Sequence, residues 1–453
     1  MTRLLIGNDF NEDLFTRIAA SWSVQRLAWF AQDGDVLVLP VRPEEEFLAY
    51  VTSLTGTRRS AIEVVVPAAG RAGEDLLTAD RLSAPAFLTA LRRALAGRPV
   101  TDVLALWPDT SVAALARALG AEHAVPGLGF AAQSGGALVN SKAVFRAVAA
   151  GVGVPIPEGA VCATRERAES AITELLDSNT PVVVKQDYSL GGKGNEILSR
   201  VPGIQPVGAR RTLTLTDTSK VRGYLDERWA ELSRNSRDPV VVERYYPDST
   251  SLFAEYLITD DGVESGGTGE MIMAPLAKAQ VVPAQGLKPD AAAGLAEHGR
   301  RLCVPLHAMG YRGRLSADAV LTRDSELFFT EYNGRVTMST HTYAVIGARL
   351  AGLDHADDRV VVERIWPDGW SARSFASAVS ALTDAGLAYD PSTRTGVIFS
   401  SALDLRDHSI MQCVIAEDLT RAAAYEHRLK ELFGPGGTAS RTDSTGKENA
   451  ACG

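Results

Sequence analysis

The chain has 453 residues, of which 45% are hydrophobic and 22% are charged, and its net charge is −9. An acidic chain lacks the basic face that nucleic-acid binding requires, so nucleic acid is excluded as its main partner. No apolar run approaches the roughly 20 residues that span a bilayer, and acidic residues come too early for a signal peptide. The four cysteines are scattered singly. We therefore expect a cytoplasmic protein of two to four domains with no membrane partner.

The first 125 residues alternate short β-branched runs with helix-like stretches. The runs lie at residues 4–7, 35–40, 62–67 and 102–108. Such alternation predicts an N-terminal α/β domain, residues 1–125, with a parallel sheet. No G-x-G-x-x-G sequence follows the first run, which argues against dinucleotide binding.

A lysine lies at the start of a predicted helix. Asn140 is the expected N-cap, and the helix is expected to end at Gly151. Lys142 then falls in the first turn, where the helix dipole disfavours a cation. A phosphate bound at the helix start would reverse that effect. The alternative is a solvated lysine.

A second lysine precedes a group of glycines. The run PVVVKQ, residues 181–186, predicts a buried strand with Lys185 near its end. Gly191, Gly192 and Gly194 would allow backbone N–H groups to approach phosphates closely. Their spacing is not that of a P-loop. A snorkelling lysine and a plain hairpin turn are the alternatives.

A valine-rich run leads into the residues Glu-Arg-Tyr-Tyr at 243–246, and a turn and another strand follow. Exposed backbone at such a junction can bind the edge of an adenine, with Glu243 near the exocyclic amine. The alternative is a hairpin that carries a surface glutamate.

Residues 314–321 and 326–333 are β-rich and flank a polar turn, which predicts a hairpin. Side chains alternate between the two faces of a strand pair. A turn centred on residues 324 and 325 would therefore place three pairs on one face: Asp318 with Glu331, Ser316 with Asn333, and Arg314 with Arg335.

Two carboxylates opposite each other in a hairpin repel unless a cation lies between them. Asp318 and Glu331 therefore indicate a Mg²⁺ site, because Mg²⁺ takes one or two carboxylates together with substrate phosphates. Arg314 and Arg335 would suit an anion beside the metal. The alternative is a solvated hairpin surface. A loop with an odd number of residues would shift the register by one residue, and Asp318 and Glu331 would then no longer face each other.

The order of these features over about residues 139–345 resembles the ATP-grasp superfamily of carboxylate-amine ligases. The features are a lysine at a helix start, a lysine ending a valine strand, a glycine-rich hairpin, a V-V-V-E hinge and D-x12-E-x-N-x-R. The resemblance implies ATP and Mg²⁺ as cofactors and a core of two α+β subdomains within residues 126–360, with a lid at about 181–240. One departure is Gly334, where many relatives have proline.

The resemblance also implies a role for each motif residue. Phosphate binding falls to Lys142, Lys185, Gly191, Gly192 and Gly194. Adenine binding falls to Glu243, Arg244, Tyr245 and Tyr246. Metal binding falls to Asp318, Glu331 and Asn333, and contact with the transferring phosphoryl or acyl group falls to Arg314 and Arg335.

The flanking regions look most like the pheganomycin-type peptide ligase. Residues 361–436 predict a small helix–strand–strand–helix module, and residues 437–453 predict a disordered tail. The resemblance implies that a carboxylate is activated as an acylphosphate and captured by the amine of an amino acid or peptide, in peptide natural-product (antibiotic) biosynthesis. A ligase for a small amino acid, a carboxylase, a kinase and a non-catalytic nucleotide-binding regulator are the alternatives. The sequence leaves the oligomeric state open, a homodimer being one option.

Overall fold

The computed structural model describes residues 2–8, 22–355, 358–404 and 409–439, so most of the predicted tail lies outside the described residues. The N-terminal region forms a four-stranded sheet in the order β3-β2-β1-β4, and all of its pairings are parallel, as predicted. Its strands are β1 (Thr2–Ile6), β2 (Val36–Val38), β3 (Glu63–Val65) and β4 (Val100–Ala105). Its helices are a 3-10 helix (Ser23–Phe30), α1 (Glu45–Thr55), a 3-10 turn (Arg59–Ala61), α2 (Ala79–Leu82), α3 (Pro85–Leu95) and α4 (Thr110–Leu119).

Short helices connect this sheet to the next layer. They are a 3-10 turn (Glu122–Ala124), α5 (Leu128–Ala132), α6 (Gly135–Leu138) and α7 (Lys142–Gly151). The N-cap of α7 is Ser141, whose hydroxyl accepts from Val144 N. The prediction of Asn140 as the cap is therefore wrong by one residue. Lys142 does occupy the first turn, as expected.

A five-stranded sheet with two covering helices follows, in the strand order β5-β9-β6-β7-β8. Its elements are β5 (Gly159–Cys162), α8 (Arg165–Asp177), β6 (Val182–Gln186), β7 (Asn195–Ser199), β8 (Thr212–Thr214), α9 (Lys220–Leu232) and β9 (Val240–Arg244). The valines of β6 and β9 are buried. The side chains of α8 and α9 pack over alternate valines of the two strands: Val182, Val184, Val240 and Val242.

The largest sheet has eight strands in the order β14-β13-β10-β11-β12-β15-β17-β16. The strands are β10 (Thr250–Ile258), β11 (Val263–Met273), β12 (Ala277–Val282), β13 (Gly313–Leu321), β14 (Leu327–Asn333), β15 (Val360–Ile365), β16 (Gly396–Phe399) and β17 (Met411–Ala416). The helices are α10 (Pro289–Ala308), a π-helix (Thr342–Ala351), α11 (Phe375–Asp384) and α12 (Leu419–Phe433).

The C-terminal module has the predicted order of helix, strand, strand and helix, but its strands do not form a sheet of their own. The β17 strand pairs with β15, which pairs with β12 of the largest sheet. Its core also merges with that of the N-terminal region. Trp29 Nε1 donates to Ser400 O at 2.9 Å, and the Phe47 and Phe375 rings meet edge to face at 5.4 Å. The two ends of the chain therefore close on each other beside the largest sheet.

Within the described part of the chain, none of the helices combines the length and apolar character that crossing a membrane requires.

Candidate active site

The β13–β14 hairpin carries the residues on which the sequence argument depended. Asp318 pairs with Glu331, and Ser316 pairs with Asn333, as predicted. Because side chains alternate, these four lie on one face of the largest sheet.

The turn itself differs from the prediction. Nearer the tip the register shifts, so that Ala319 pairs with Phe329, and Thr322 N bonds Glu326 O at 2.9 Å. The loop is therefore odd in length, and Thr330 is an extra residue opposite the step from Asp318 to Ala319. This bulge restores the register that the odd loop would have removed.

The predicted pairing of Arg314 with Arg335 is not found, because β14 ends at Asn333. The Arg314 guanidinium donates to Tyr343 Oη at 2.9 Å. Arg335 donates to Asn140 Oδ1 and lies 5.2 Å from the Trp107 ring centroid. Asn140 therefore orients an arginine, which is a different task from the capping predicted for it.

The two carboxylates of the hairpin are held in unlike electrostatic states. Asn333 Nδ2 donates to Asp318 Oδ2 at 3.2 Å and to Glu331 Oε1 at 3.5 Å. Burial and the nearby Glu331 carboxylate raise the pKa of Asp318 well above its ordinary value. Burial acts in the same sense on Glu331, but the Lys142 ammonium, 2.9 Å from Glu331 Oε2, outweighs it and lowers the pKa of Glu331. The pair is thus a site where a further cation would relieve repulsion.

The donor set suits Mg²⁺, which prefers carboxylate and amide oxygens. The described residues contain no group of three or more His, Cys, Asp or Glu side chains placed to hold a metal. Asp318, Glu331 and Asn333 would consequently hold Mg²⁺ together with oxygens from a ligand, which is the usual way in which Mg²⁺ is bound beside phosphates.

Glu243 has a different environment from the one predicted. Its carboxylate is buried between Arg146 Nη1 and Lys185 Nζ, each 2.5 Å from one of its oxygens. A carboxylate paired with two cations is not an open acceptor for an adenine amine, so this part of the prediction is corrected. Glu243 instead fixes Lys185 in position.

The glycine loop connects β6 to β7, whose last pair is Lys185 with Asn195. Gly191 and Gly192 adopt left-handed backbone angles, with φ of 54° and 81°. A Cβ at Gly192 would lie 2.7 Å from Gly208 O. Any side chain there would collide with backbone, so the loop requires glycine at this position.

The predicted hinge places aromatic rings beside the hairpin. Tyr246 stacks on Phe328 of β14 with ring centroids 4.8 Å apart, and the Arg244 guanidinium lies 5.0 Å from the Tyr246 ring centroid. Tyr245 Oη donates to Val207 O at 3.2 Å. The hinge therefore packs against the edge of the largest sheet and against the segment after the glycine loop.

These elements surround one cleft of about 380 Å³ between the five-stranded and eight-stranded sheets. Of the predicted site residues, Arg314 and Gly194 do not line it. The others do: Lys142, Lys185, Gly191, Gly192, Glu243, Arg244, Tyr245, Tyr246, Asp318, Glu331, Asn333 and Arg335.

Sequence reasoning missed two buried glutamates beneath this cleft. Glu255 on β10 pairs with Ser316, and Glu363 on β15 pairs with Gln280. Both are covered by the segment that follows Arg335. A usable signal was the single charged residue, Glu255, inside the apolar run of β10. The register of β10 with β13 places it on the same face as Asp318.

Comparison with known proteins supports the expected superfamily. Residues 24–121 match the family model described as the pre ATP-grasp domain, and residues 377–429 match that described as the PGM1 C-terminal domain. A sequence search of the curated proteins gave no significant match.

Solved structures resemble almost the whole chain. The ADP complex of an N5-carboxyaminoimidazole ribonucleotide synthetase aligns with a TM-score of 0.57 and 11% identity, covering 94% of this chain and 95% of that one. Biotin carboxylase from Campylobacter jejuni aligns with a TM-score of 0.55 and 14% identity, covering 93% of this chain and 89% of that one. A third structure is the biotin carboxylase domain of Hydrogenobacter thermophilus 2-oxoglutarate carboxylase in complex with MgADP and bicarbonate. It aligns with a TM-score of 0.58 and 14% identity, covering 95% of this chain and 90% of that one.

This likeness defines a class at the level of fold. The N-terminal parallel sheet and the two sheets that enclose the cleft, one mixed and one antiparallel, form the ATP-grasp fold. The pre ATP-grasp match at residues 24–121 covers β2, β3 and β4 of the N-terminal sheet and the helices between them, where such a domain is expected.

Proposed function

We propose that this protein is an ATP-dependent, ADP-forming ligase that joins a carboxylate to an amine. The observation that carries the proposal is the partly buried carboxylate pair, Asp318 and Glu331, in the same cleft as Lys142, Lys185 and Arg335. A cluster of cations and cation ligands without an evident nucleophile suits phosphoryl transfer, which depends on positioning and charge stabilisation.

The cofactors follow from the same groups. Lys142, Lys185 and the glycine loop would hold the phosphates of ATP. Three residues of the hinge, Arg244, Tyr245 and Tyr246, would hold its base. The solved structures of similar fold contain ADP or MgADP, which supports this assignment. Mg²⁺ held by Asp318, Glu331 and Asn333 would neutralise phosphate oxygens during transfer.

The cationic side chains of the cleft would reduce the repulsion between the substrate carboxylate and the γ-phosphoryl group of ATP. Two unit charges 4 Å apart interact by about 4 kcal/mol at an effective dielectric constant near 20. The substrate carboxylate must approach the γ-phosphoryl group against this repulsion. Arg335, held by Asn140, lies two residues beyond the metal ligand Asn333 and would bind the incoming carboxylate and the acylphosphate. A neutral amine then displaces phosphate and forms the amide.

The extent of the cleft supports a peptide-sized substrate. The metal pair lies on β13 and β14, whereas Met411, on β17, also lines the cleft. Five inter-strand steps separate β13 from β17, or roughly 24 Å at about 4.8 Å each. Four of the six methionines line it: Met271, Met273, Met338 and Met411. Methionine adapts to varied apolar groups, as a ligase for peptides with apolar side chains would require.

The finer part of the proposal is a peptide ligase of natural-product biosynthesis, resembling the pheganomycin-type enzyme. That likeness rests on both flanking regions, and the C-terminal one matches a family model of its own over residues 377–429. A carboxylase is the second candidate, favoured by the similar structures themselves, which include a biotin carboxylase and a biotin carboxylase domain. A non-catalytic regulator is disfavoured by the complete metal and phosphate set.

The test is a screen of carboxylates against short peptides and single amino acids, with phosphate release and product mass as readouts. We expect ADP and phosphate only when both substrates are present, with a product whose mass is their sum less water. Phosphate release that depends on bicarbonate, with a carboxylated product, would replace the ligase by the carboxylase.

A further inference from the structure

Glu255 is a fully buried carboxyl group that the proposed chemistry has not yet used. It lies on β10 opposite Ser316, one ladder step along the sheet from the pair of Phe253 with Asp318. It therefore shares the face of the sheet that carries the metal ligands, and Ser316 separates it from Asn333 in the same row across the sheet.

The contacts of Glu255 lead to the cleft. Ser339 Oγ donates to Glu255 Oε1 at 2.5 Å, and Thr337 Oγ1 lies 3.4 Å from the same oxygen. Both hydroxyl residues line the cleft, directly after Arg335. The second oxygen, Glu255 Oε2, has no hydrogen-bond partner among the described residues.

Other charged or titratable groups face this carboxyl group from the elements around it. They are Arg314 and Asp318 on β13, Tyr343 on the π-helix, and Tyr311. Burial raises the pKa of Glu255 to about 7, although the Ser339 hydroxyl and the Arg314 guanidinium act in the opposite sense. A carboxylate with this pKa is suited to exchange protons at neutral pH.

We propose that Glu255, acting through the Ser339 hydroxyl, receives the proton of the attacking amine. This inference rests on the proposed ligase function. The amine nitrogen forms its bond to the acyl carbon, and the C–O bond to phosphate breaks with its electron pair leaving on phosphate. The nitrogen gives a proton to Ser339 Oγ, whose own proton passes to Glu255. Glu255 later returns that proton to solvent.

The assignment gives Ser339 contact with the substrate and makes Glu255 the residue that acts through it. The unpaired Oε2 makes the ionised form of Glu255 costly in the protein interior, which favours the uptake of a proton. Glu363 offers the contrast. It is equally buried and is tied to the same covering segment, but its oxygens contact His341, Thr342 and Gln280.

The test compares Glu255→Gln and Ser339→Ala with Glu363→Gln, which controls for the loss of a buried carboxylate and of stability, under conditions where urea unfolding shows that each variant is folded. Two rates are measured between pH 6 and 9: amide formation with a peptide amine, and hydroxamate formation with hydroxylamine, a weakly basic nucleophile that reports the acylphosphate. We expect Glu255→Gln to lower amide formation by about 10²- to 10⁴-fold and to change hydroxamate formation and nucleotide Kd far less.

The pH profile supplies a readout that a merely structural role would not change. In the unaltered protein, the rate of amide formation should fall as the pH drops below two pKa values. They are that of Glu255, about 7, and that of the peptide amine, about 8. Glu255→Gln should retain only the second, and Glu255→Asp should recover part of the rate. Glu363→Gln should keep both.

Ser339→Ala keeps the inference falsifiable if Glu255→Gln does not fold, and it should also slow amide formation selectively. Equal losses in amide and hydroxamate formation, or an unchanged pH profile in either variant, would overturn the proton-transfer role while leaving the ligase intact. Absence of amide from the unaltered protein would overturn both proposals.

Discussion

Glu331 is held between a cation and a like charge, which makes its replacement informative. In Glu331→Gln, Lys142 loses its ion-pair partner while Asp318 is relieved of repulsion, so the two effects on folding oppose each other. Turnover should fall by at least about 100-fold, as when a charge-stabilising group is removed, while the free energy of unfolding changes little. Turnover across a Mg²⁺ titration and urea unfolding measure the two quantities. Glu326→Gln, at the exposed turn of the same hairpin, is the control. Normal turnover of Glu331→Gln at limiting Mg²⁺ would refute the metal assignment.

Arg335 should act on the acyl group and not on the nucleotide. Arg335→Ala is therefore expected to leave nucleotide Kd nearly unchanged and to depress amide formation strongly. Arg335→Lys should recover little, because lysine cannot present a planar fork to a carboxylate. Nucleotide titration and product formation at saturating ATP give the comparison, with the exposed Arg323→Ala as control. A large loss of nucleotide affinity with normal saturated turnover would move Arg335 to the nucleotide site.

Most of the residues chosen from the sequence line the candidate cleft, but their partners were not predicted. Lys185 and Glu243 were selected by their places at the ends of valine strands, which is local information. Their mutual contact, and the contact of Arg146 with Glu243, join residues far apart in the chain. One sequence without an alignment does not reveal such contacts, so Glu243 received a ligand-binding role where the structure gives it a positioning one.

The glycine loop between β6 and β7 is expected to become ordered over bound phosphates. Its glycines retain high backbone freedom without a ligand, so amide hydrogen exchange across residues 191–194 should slow when a non-hydrolysable ATP analogue binds. The turn at residues 259–262, which joins β10 to β11, serves as an internal control and should be unaffected. Protection elsewhere without protection of the loop would mean that the phosphates bind at another place.

Glu363 connects β12, β15 and the π-helix. Burial would raise the pKa of Glu363, but His341, whose Nε2 lies 3.1 Å from Oε1, lowers it. A lowered folded-state pKa gives a contribution to stability that is complete above the unfolded value of about 4.3. This contribution is lost as the pH falls toward the folded pKa. Glu363→Gln should destabilise the fold by about 3–5 kcal/mol at pH 7 and should flatten the acid limb of stability against pH, measured by urea unfolding. An acid limb as steep as that of the unaltered protein would contradict this role.

The β13–β14 hairpin shows how an element can be predicted for an incomplete reason. Period-two alternation identified both strands, and the pairing of Asp318 with Glu331 is confirmed. The assumed turn was wrong, and the register survived because of the bulge at Thr330. A bulge is fixed by packing around the whole sheet rather than by local residue preference. The residues of the turn therefore did not predict it.

At the scale of the whole molecule, the predicted class of fold is confirmed. The packing of the C-terminal module against the largest sheet and the N-terminal region was not predicted. The C-terminal strands extend the largest sheet, and their helices share a core with the N-terminal region. These are contacts between the ends of the chain, which periodicity does not encode. They position the far end of the cleft, where substrate selection is proposed to occur.

The central claim is that a carboxylate is activated by phosphoryl transfer before an amine captures it. The direct measurement supplies the amine, ATP and a carboxylate substrate labelled with ¹⁸O in both carboxyl oxygens. The isotopic mass of the released phosphate is then determined by mass spectrometry. Attack of the carboxylate on the γ-phosphoryl group predicts one ¹⁸O in each phosphate, ADP as the other product, and one ¹⁸O retained in the amide. Unlabelled phosphate, or AMP with pyrophosphate, would contradict the account.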